Sequence, residues 1–203
     1  MEYIGSVKKQ GSIVDVLKEA ILLGRIRGGE ELTQNEIAQV LEVSRMPVRE
    51  ALIILEYQGL MERLPNNHVR VAEFGPEYFR KTFQLCGRLE MEALGQSGML
   101  KNDVIQDRGA ELLAVGELDF HRSLYRSMTH TFYKKTLETL VEVYVAFAVR
   151  HGGAGKTERI ELLNAALEAW KDGQTELAEC LLGRYFDGLA ETIRKVRERE
   201  CLD

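Results

Sequence analysis

Apolar residues recur at three- and four-residue intervals along most of the chain, which is the spacing of an amphipathic α-helix. Three such segments follow one another closely near the N-terminus. The first is expected to begin near Ile13 and to stop at the turn signal Gly28-Gly29, the second ends near Leu41, and the third begins at Ser44. The pattern therefore predicts three successive helices, of which the first is the longer.

The second and third segments begin with residues that favour helix starts. Thr33 and Glu36 have the spacing of a capping box, in which each side chain accepts a hydrogen bond from the backbone of the other. Ser44 is a favourable N-cap, and Pro47 falls in the first turn, where a missing N–H costs little. Only residues 42–43 separate the two helices, which predicts the tight crossing of a helix-turn-helix.

The third segment has two distinct faces. Arg45 and Arg49 are four residues apart and share one face, whereas an apolar stripe forms another and consists of Val48, Ala51, Leu52 and Leu55. An arginine pair at this spacing is by itself most often part of a solvated surface. The capped helices and the short turn around it favour DNA recognition instead.

A β-hairpin is predicted after the third helix. Gly59 ends the helical pattern, and the turn Pro-Asn-Asn-His at 65–68 is flanked by Met61, Arg63, Val69 and Val71. His68 and Arg70 should lie opposite the valines, within reach of a sugar-phosphate backbone. Taken alone, His68 could equally be an ordinary exposed loop residue. Three helices and a hairpin make a winged helix-turn-helix.

Two stretches carry a resemblance to a known family. Ser-Arg-Met-Pro-Val-Arg-Glu-Ala-Leu at 44–52 and Leu-Glu-Tyr-Gln-Gly-Leu at 55–60 resemble the pattern of the GntR superfamily of bacterial regulators, within a similarity that spans residues 8–73. The resemblance implies that the recognition-helix arginines read guanine edges or clamp phosphates. Asn35, where many members have arginine, and Asn66-Asn67, where many have glycines, depart from it. The expected DNA-contacting residues are Thr33, Asn35, Ser44, Arg45, Met46, Pro47, Arg49, His68 and Arg70.

Composition limits the kind of DNA-binding protein this can be. The 203 residues include 27 Lys and Arg against 32 Asp and Glu, a formal net charge of −5, without a basic run. Positive charge facing DNA must therefore be concentrated locally, which favours a site-specific regulator over a coating protein. No segment has the length and apolarity of a membrane span or a signal peptide, so a cytoplasmic location is expected. The three scattered cysteines, Cys86, Cys180 and Cys201, lack the spacing of a zinc site.

Helical periodicity continues after the break at residues 74–76, without a convincing strand. Helices are expected near 77–97, 103–128, 132–150, 157–172 and 174–199. We therefore predict a mainly α protein that combines an N-terminal winged helix-turn-helix, with a small β-hairpin wing, and a C-terminal antiparallel all-α helical bundle. The expected boundaries are 1–73 for the DNA-binding domain, 74–78 for a linker and 79–203 for the helical effector-binding and dimerisation domain.

The helical half resembles, more loosely, the FCD ligand-binding domain of the FadR-type branch of the same superfamily. The similarity covers residues 79–199 and rests on Arg-Leu-Glu at 88–90, Phe-His-Arg-Ser-Leu at 120–124 and the segment 165–173. It implies an antiparallel helical bundle with a central cavity for a small metabolite, often a carboxylate. In many members the cavity also holds a divalent metal through one Asp and three His.

The metal pattern of that family is incomplete in this sequence. Glu117 and His121 are four residues apart on an apolar stripe, so both should face the bundle interior at the family's Asp-x-x-x-His positions. Leu163 and Tyr185 stand where two further histidines would be, and leucine cannot ligate a metal. Two donors are too few for a closed site, and a Glu-His pair in a helix is more often an ion pair or core hydrogen bond. No firmly bound metal is expected, with Glu117 and His121 as the weak candidate ligands.

A metal-free effector pocket is the alternative interpretation of these residues. Arg88 would pair with a carboxylate, His121 and Tyr185 would offer hydrogen bonds, and Tyr144 and Leu163 would shape the cavity. Arg88 could equally be a surface or interhelical ion-pair residue.

The sequence as a whole predicts a homodimeric transcriptional regulator, most simply a repressor, whose partners are a palindromic duplex operator and a small-molecule effector, with no role at a membrane. An enzyme is not expected, because the chain lacks a nucleophile elbow, a P-loop and a His-Glu-x-x-His helix. The competing hypothesis is a helical metabolite- or metal-sensing protein that acts through protein partners rather than DNA.

Overall fold

The computed structural model describes residues 12–65, 68–96 and 116–200. The first part of the helix predicted over 103–128, the asparagines at 66–67 and Cys201 lie outside the described residues. Contacts divide the chain into two units, one comprising residues 1–75 with 195–203 and the other residues 76–194. The end of the last helix, which the sequence analysis placed in the C-terminal domain, therefore groups with the first unit.

The first unit contains three helices and a three-stranded antiparallel sheet. Its elements are α1 (Ile13–Leu23), β1 (Glu31–Leu32), α2 (Gln34–Leu41), α3 (Arg45–Tyr57), β2 (Met61–Arg63) and β3 (Val69–Val71). The strand order is β1-β3-β2, with Glu31 and Glu62 both opposite Arg70. This arrangement confirms the predicted winged helix-turn-helix.

Two local predictions in this unit need correction. Helix α1 ends at Leu23, before Gly28-Gly29, because Gly24 takes a left-handed conformation (φ 84°) and its N–H bonds to Ile21 O. Strand β1 was not predicted, since two residues are too short to show an alternating pattern. It exists because its backbone pairs with β3, which is a contact distant in sequence.

The helix starts follow the local chemistry of their sequence. The capping box is confirmed: Glu36 N donates to Thr33 Oγ1 at 3.1 Å, and Thr33 N donates to Glu36 Oε2 at 2.8 Å. Ser44 is the N-cap of α3 as predicted, although its hydroxyl makes no capping hydrogen bond. Between the two helices Glu42 adopts a left-handed backbone with φ 52°.

The buried positions of the first unit match the predicted helix faces. The whole stripe on α3 is buried, and it packs with side chains of α1, α2 and the sheet. The most deeply buried residues of this unit are Leu17, Ile21, Leu22, Ile37, Val48, Leu55, Leu60 and Val71. Because the core takes this face of α3, the opposite face with Arg45 and Arg49 remains exposed.

The second unit is helical throughout its described part. Its elements are α4 (Tyr78–Gln96), α5 (Glu117–Ser127), α6 (Thr131–Leu140), a π-helical turn (Val141–Val145), α7 (Ala146–His151), a 3₁₀ turn (Gly153–Gly155), α8 (Lys156–Lys171) and α9 (Thr175–Glu200), whose last turns belong to the first unit. The helix predicted near 132–150 corresponds to the continuous helical segment 131–151, in which the π-helical turn lies between α6 and α7. No helix among the described residues combines the length and apolar character that crossing a bilayer would need.

Candidate functional sites

A groove of about 460 Å³ lies beside the recognition helix of the first unit. It is lined by Thr33, Gln34, Asn35, Arg45, Arg49, Arg63 and His68. Most of the residues predicted to contact DNA therefore come together here, from α2, α3 and the wing. Three other predicted contact residues, Ser44, Met46 and Pro47, are not part of the groove lining. They are neighbours of Arg45 at the N-terminal end of α3, and the Met46 side chain is 63% exposed.

The two recognition-helix arginines are available to a partner. Arg45 Nη1 makes only a long contact of 3.5 Å with Asn35 Oδ1, which links the starts of α2 and α3. Arg49 has no hydrogen-bond or ion-pair partner within the described residues. Both side chains are exposed, so neither charge is neutralised by the protein itself.

Arg63 is a groove residue that the sequence analysis missed. By strict alternation Arg63 would share a face of β2 with the buried Met61, two residues earlier. The structure leaves Arg63 exposed, with its Nε donating to Glu56 Oε2 at 3.2 Å. A basic residue at the last position of a strand beside a wing turn was the available signal.

Arg70 is not brought into the groove. Its guanidinium lies between two carboxylates of the neighbouring strands, with Nη2 2.7 Å from Glu31 Oε1 and Nη1 3.1 Å from Glu62 Oε1. The hydrogen bond to Glu31 is the main reason that the pKa of Arg70 is raised. Arg70 therefore ties the three strands together across one face of the sheet.

Glu36 keeps its negative charge within the capping box. Its hydrogen bonds with the Thr33 side chain and then the Thr33 backbone lower the pKa of the carboxyl, and the charge of His68 adds to the effect. That carboxylate is hydrogen-bonded to Thr33 and is not part of the groove lining. The ionisable groups of the lining are the guanidinium groups of Arg45, Arg49 and Arg63 and the imidazole of His68. Such a surface attracts the phosphates of a nucleic acid.

A helix-turn-helix with an exposed arginine face and a basic wing defines a DNA-binding domain of the winged-helix class. Residues 9–71 match the family described as bacterial regulatory proteins, gntR family. The match covers the helix-turn-helix and the wing, which is less than half of the chain.

Two curated relatives each match less than half of the chain. An uncharacterized HTH-type transcriptional regulator of Mycobacterium tuberculosis is 40% identical over 83 residues, which is 41% of this chain and 34% of that protein. Another, from an unstable DNA locus of Streptomyces ambofaciens, is 41% identical over 60 residues, 30% of this chain and 25% of that protein. The chain thus spans about a third or less of the length of these relatives. Both are named as HTH-type transcriptional regulators.

Two solved structures resemble the chain over almost its whole length. Lar, which controls expression of the agr system of Listeria monocytogenes, has a TM-score of 0.59 at 16% identity, covering 90% of this chain and 95% of its own. McbR/YncC of E. coli has a TM-score of 0.54 at 20% identity, covering 92% and 96%. At these identities the likeness shows a shared fold, including the helical second unit.

Most of the residues predicted for an effector pocket lie in the core of the second unit. Glu117, His121, Tyr144, Leu163 and Tyr185 are at most 4% exposed. Tyr144 lies apart from the polar residues, in the π turn, where its hydroxyl is 2.8 Å from the Tyr78 hydroxyl. Burial is the first cause of the raised pKa of Tyr144.

His121, on α5, makes short hydrogen bonds to one residue of α4 and one residue of α9. Its Nδ1 lies 2.6 Å from Glu90 Oε1, and its Nε2 lies 2.6 Å from the Tyr185 hydroxyl. Tyr185 donates its single O–H to Glu117 Oε1 at 3.0 Å, so Nε2 must carry the proton of the His121–Tyr185 contact. Burial first, and then the charges of Glu117 and Glu90, raise the pKa of Tyr185 well above its ordinary value.

Arg159 completes this buried cluster. Its Nε donates to Glu117 Oε1 at 3.0 Å and its Nη1 donates to Gly152 O at 2.7 Å. A Cβ at Gly152 would lie 2.7 Å from the same Nη1, so the close approach of the guanidinium requires glycine there. We call Glu90, Glu117, His121, Arg159 and Tyr185 the polar core cluster; it joins α4, α5, α8 and α9.

Glu90 and Arg159 were missed at the sequence level, although a helical signal existed for both. Glu90 continues the buried stripe of Phe83 and Cys86 on α4, and Arg159 lies four residues before the buried Leu163 on α8.

Cys86 is buried and Cys180 exposed, and burial followed by the Glu90 charge raises the pKa of the Cys86 thiol.

The polar core cluster does not fit a divalent metal. Glu117 is bonded by Arg159 and Tyr185, and both nitrogens of His121 face protein oxygens. The guanidinium beside Glu117 would repel a cation. Among the described residues no group of three or more His, Cys, Asp or Glu is arranged to hold a metal ion.

The structure does not bring Arg88 together with the cluster. Arg88 is exposed and lines a separate groove between α4 and α9, whereas Glu90, two residues later on α4, is fully buried beside His121. The single effector pocket proposed from the sequence is thus divided between a filled polar core and an open groove.

Proposed function

We propose that the protein is a sequence-specific DNA-binding transcriptional regulator, in which the groove beside α3 contacts duplex DNA. The observation that carries this proposal is the convergence of Arg45, Arg49, Arg63 and His68 on one exposed surface of a winged-helix unit. In this arrangement α3 enters the major groove with both recognition-helix arginines at base edges or phosphates. Arg63 and His68 then contact the neighbouring backbone.

The finer parts of the proposal concern assembly and control. One winged-helix unit presents one recognition helix, so a palindromic operator is read by a homodimer. The second unit is an FCD-type domain of the FadR branch that binds a small effector and changes operator affinity, most simply as a repressor. The sequence resemblance and the helical second unit support this part of the proposal.

The test starts with duplexes selected from a random library by the full-length protein, followed by titrations monitored by fluorescence anisotropy. Arg45→Ala and Arg49→Ala are each expected to weaken specific binding by about 1–3 kcal/mol where the lost contact is bidentate to a base. Arg63→Ala should instead weaken binding to all sequences and reduce the salt slope by about 1, as expected for a phosphate contact.

Arg27→Ala is the matched control. Arg27 is exposed and follows α1, near the end of β3 that lies away from the wing turn and the groove. Its removal changes the net charge by the same amount without touching the proposed contact surface. Equal loss of affinity in Arg27→Ala and Arg49→Ala would mean that the loss reflects only the change in net charge and not a contact made by Arg49. Absence of salt-dependent duplex binding by the unaltered protein would favour the alternative of a sensor that acts through protein partners.

A further inference from the structure

The groove between α4 and α9 has the size and lining of a small-molecule site. Its volume is about 690 Å³, within the range of roughly 300–1,000 Å³ of ligand pockets. We call it the α4–α9 groove; it is lined by Phe83, Gln84, Gly87, Arg88, Met91, Glu92, Trp170, Thr175, Glu179, Leu182, Gly183 and Phe186. All of these residues belong to the second unit.

The groove has a rigid apolar floor. Phe83 and Phe186 are almost fully buried and stack with their ring centroids 6.0 Å apart. Gly87 allows this packing, because a Cβ there would lie 3.1 Å from Phe186 Cδ2. Gly183 is different: a Cβ at this position would meet no atom within 4 Å. The absence of a side chain at Gly183 therefore leaves space in the groove.

The two walls carry opposite charges that are not paired. Arg88 lies on α4 and Glu179 on α9, and within the described part of the chain neither has a hydrogen-bond or ion-pair partner. Glu92, one helical turn after Arg88, adds a second carboxylate to the lining. A ligand that satisfies both walls therefore needs an anionic group for Arg88 and a cationic group for Glu179.

We propose that the α4–α9 groove binds a small zwitterion with an apolar body, of the amino-acid class. Its carboxylate pairs with Arg88, its ammonium pairs with Glu179, and its side chain lies against Met91 and Trp170, the half-buried apolar residues of the lining. This names the chemical class of the effector and rests on the proposed function for its regulatory meaning. The binding step itself does not involve DNA and is testable without it.

The binding test compares three sets of probes on the full-length protein. L-Leucine and L-phenylalanine carry both charges, 4-methylpentanoate and 3-phenylpropionate carry only the carboxylate, and isoamylamine and phenethylamine carry only the amine. The amino acids are expected to raise the unfolding temperature by several degrees at about 100 times Kd, and the single-charge analogues much less. Calorimetric titration then gives Kd for the best probe.

Substitutions locate the binding site. Arg88→Gln and Glu179→Gln should each weaken binding of the amino acid at least tenfold while leaving the unfolding temperature of the free protein nearly unchanged, because both side chains are exposed and unpaired. Gly183→Leu should abolish binding by filling the groove. Gly188→Leu is the matched control, since Gly188 lies on the same helix, also has open space at its Cβ, and is not part of the lining.

Three results would overturn the proposal. The first is the absence of any shift with the amino acids, and the second is equal binding of the carboxylates alone with no loss in Glu179→Gln. The third is that the unaltered protein sediments as a dimer and Gly183→Leu as a monomer, while ligand binding is the same in both. That result would make the groove an interface between two copies. The first two results would leave duplex binding by the groove beside α3 unchanged, and the third would weaken operator binding only in Gly183→Leu. Duplex binding by the unaltered protein therefore tests the DNA-binding proposal separately.

Discussion

At the scale of single residues, the backbone of Glu42 stands out in the helix-turn-helix. It is the one non-glycine residue with positive φ among the described residues, at 52°, and it connects α2 to α3. A left-handed conformation costs an L-residue roughly 1–2 kcal/mol relative to glycine. The close crossing of the two helices therefore holds this residue in a strained conformation.

We predict that Glu42→Gly is more stable than Glu42→Ala by about 1 kcal/mol, because both variants lose the same side chain and only glycine relieves the strain. The measurement is the free energy of unfolding of the first unit in urea. Gln39, exposed in the right-handed helix α2, gives the matched control with the opposite sign. There glycine should be less stable than alanine by about 1 kcal/mol. The same sign at both positions would contradict the strain argument.

At the scale of elements, the end of α9 stabilises the end of α1 within the first unit. Arg197 Nη1 donates to Ile21 O at 2.8 Å and to Leu22 O at 3.0 Å. These are carbonyls of the last turn of α1, where the usual partners four residues later are missing, although Ile21 O also accepts from the C-cap Gly24 N. The guanidinium also lies over the Phe74 ring, 5.2 Å from its centroid. A positive charge at this position favours the C-terminal end of the helix dipole.

Arg197→Ala should therefore destabilise the first unit by about 1.5–3 kcal/mol, the range for hydrogen bonds made by a charged group. Arg197→Lys keeps the charge and loses the planar group over Phe74, so its stability should lie between those of the unaltered protein and Arg197→Ala. Arg199→Ala removes an exposed arginine from the same turns of α9 and should change stability little. Hydrogen exchange of the amides of α1 provides the local measurement. Protection of α1 that is unchanged in Arg197→Ala would refute the capping role.

At the scale of the whole molecule, the polar core cluster joins helices that are distant in sequence. Tyr185 is central to it, since its hydroxyl contacts both His121 and Glu117 in a fully buried place. Tyr185→Phe would leave His121 Nε2 without its partner and would remove one hydrogen bond from Glu117, which keeps its bond with Arg159. The expected cost is about 1–3 kcal/mol at neutral pH. Tyr57→Phe, at a side chain that is 68% exposed, is the control and should be nearly neutral.

The same variant gives a prediction for the dependence of stability on pH. Because burial raises the pKa of Tyr185 in the folded state, its contribution to stability is fully present below pH 10 and is lost as pH rises further, when the tyrosine of the unfolded chain ionises near its ordinary value of about 10. The stability difference between the unaltered protein and Tyr185→Phe should therefore shrink between about pH 10 and 11. A constant difference in urea unfolding across this range would contradict the raised pKa.

The structure of the first unit follows largely from its sequence. Helix faces and caps depend on interactions within one or two turns, so the buried stripe of α3, the capping box at Thr33 and the exposed pair Arg45 and Arg49 could be read directly. The wing could be placed from its turn residues, but strand β1 could not, because two residues show no period.

The sequence by itself determined which residues form helices and which faces of α2 and α3 are apolar, since these are local properties of spacing and capping. Only the tertiary structure decided which charged residues are paired. Arg70 forms an ion pair with Glu31 of the neighbouring strand, and Glu117 forms one with Arg159, 42 residues away. The physical reason is that an ion pair or a buried hydrogen bond depends on distance in space, and local spacing carries no information about which distant element supplies the partner.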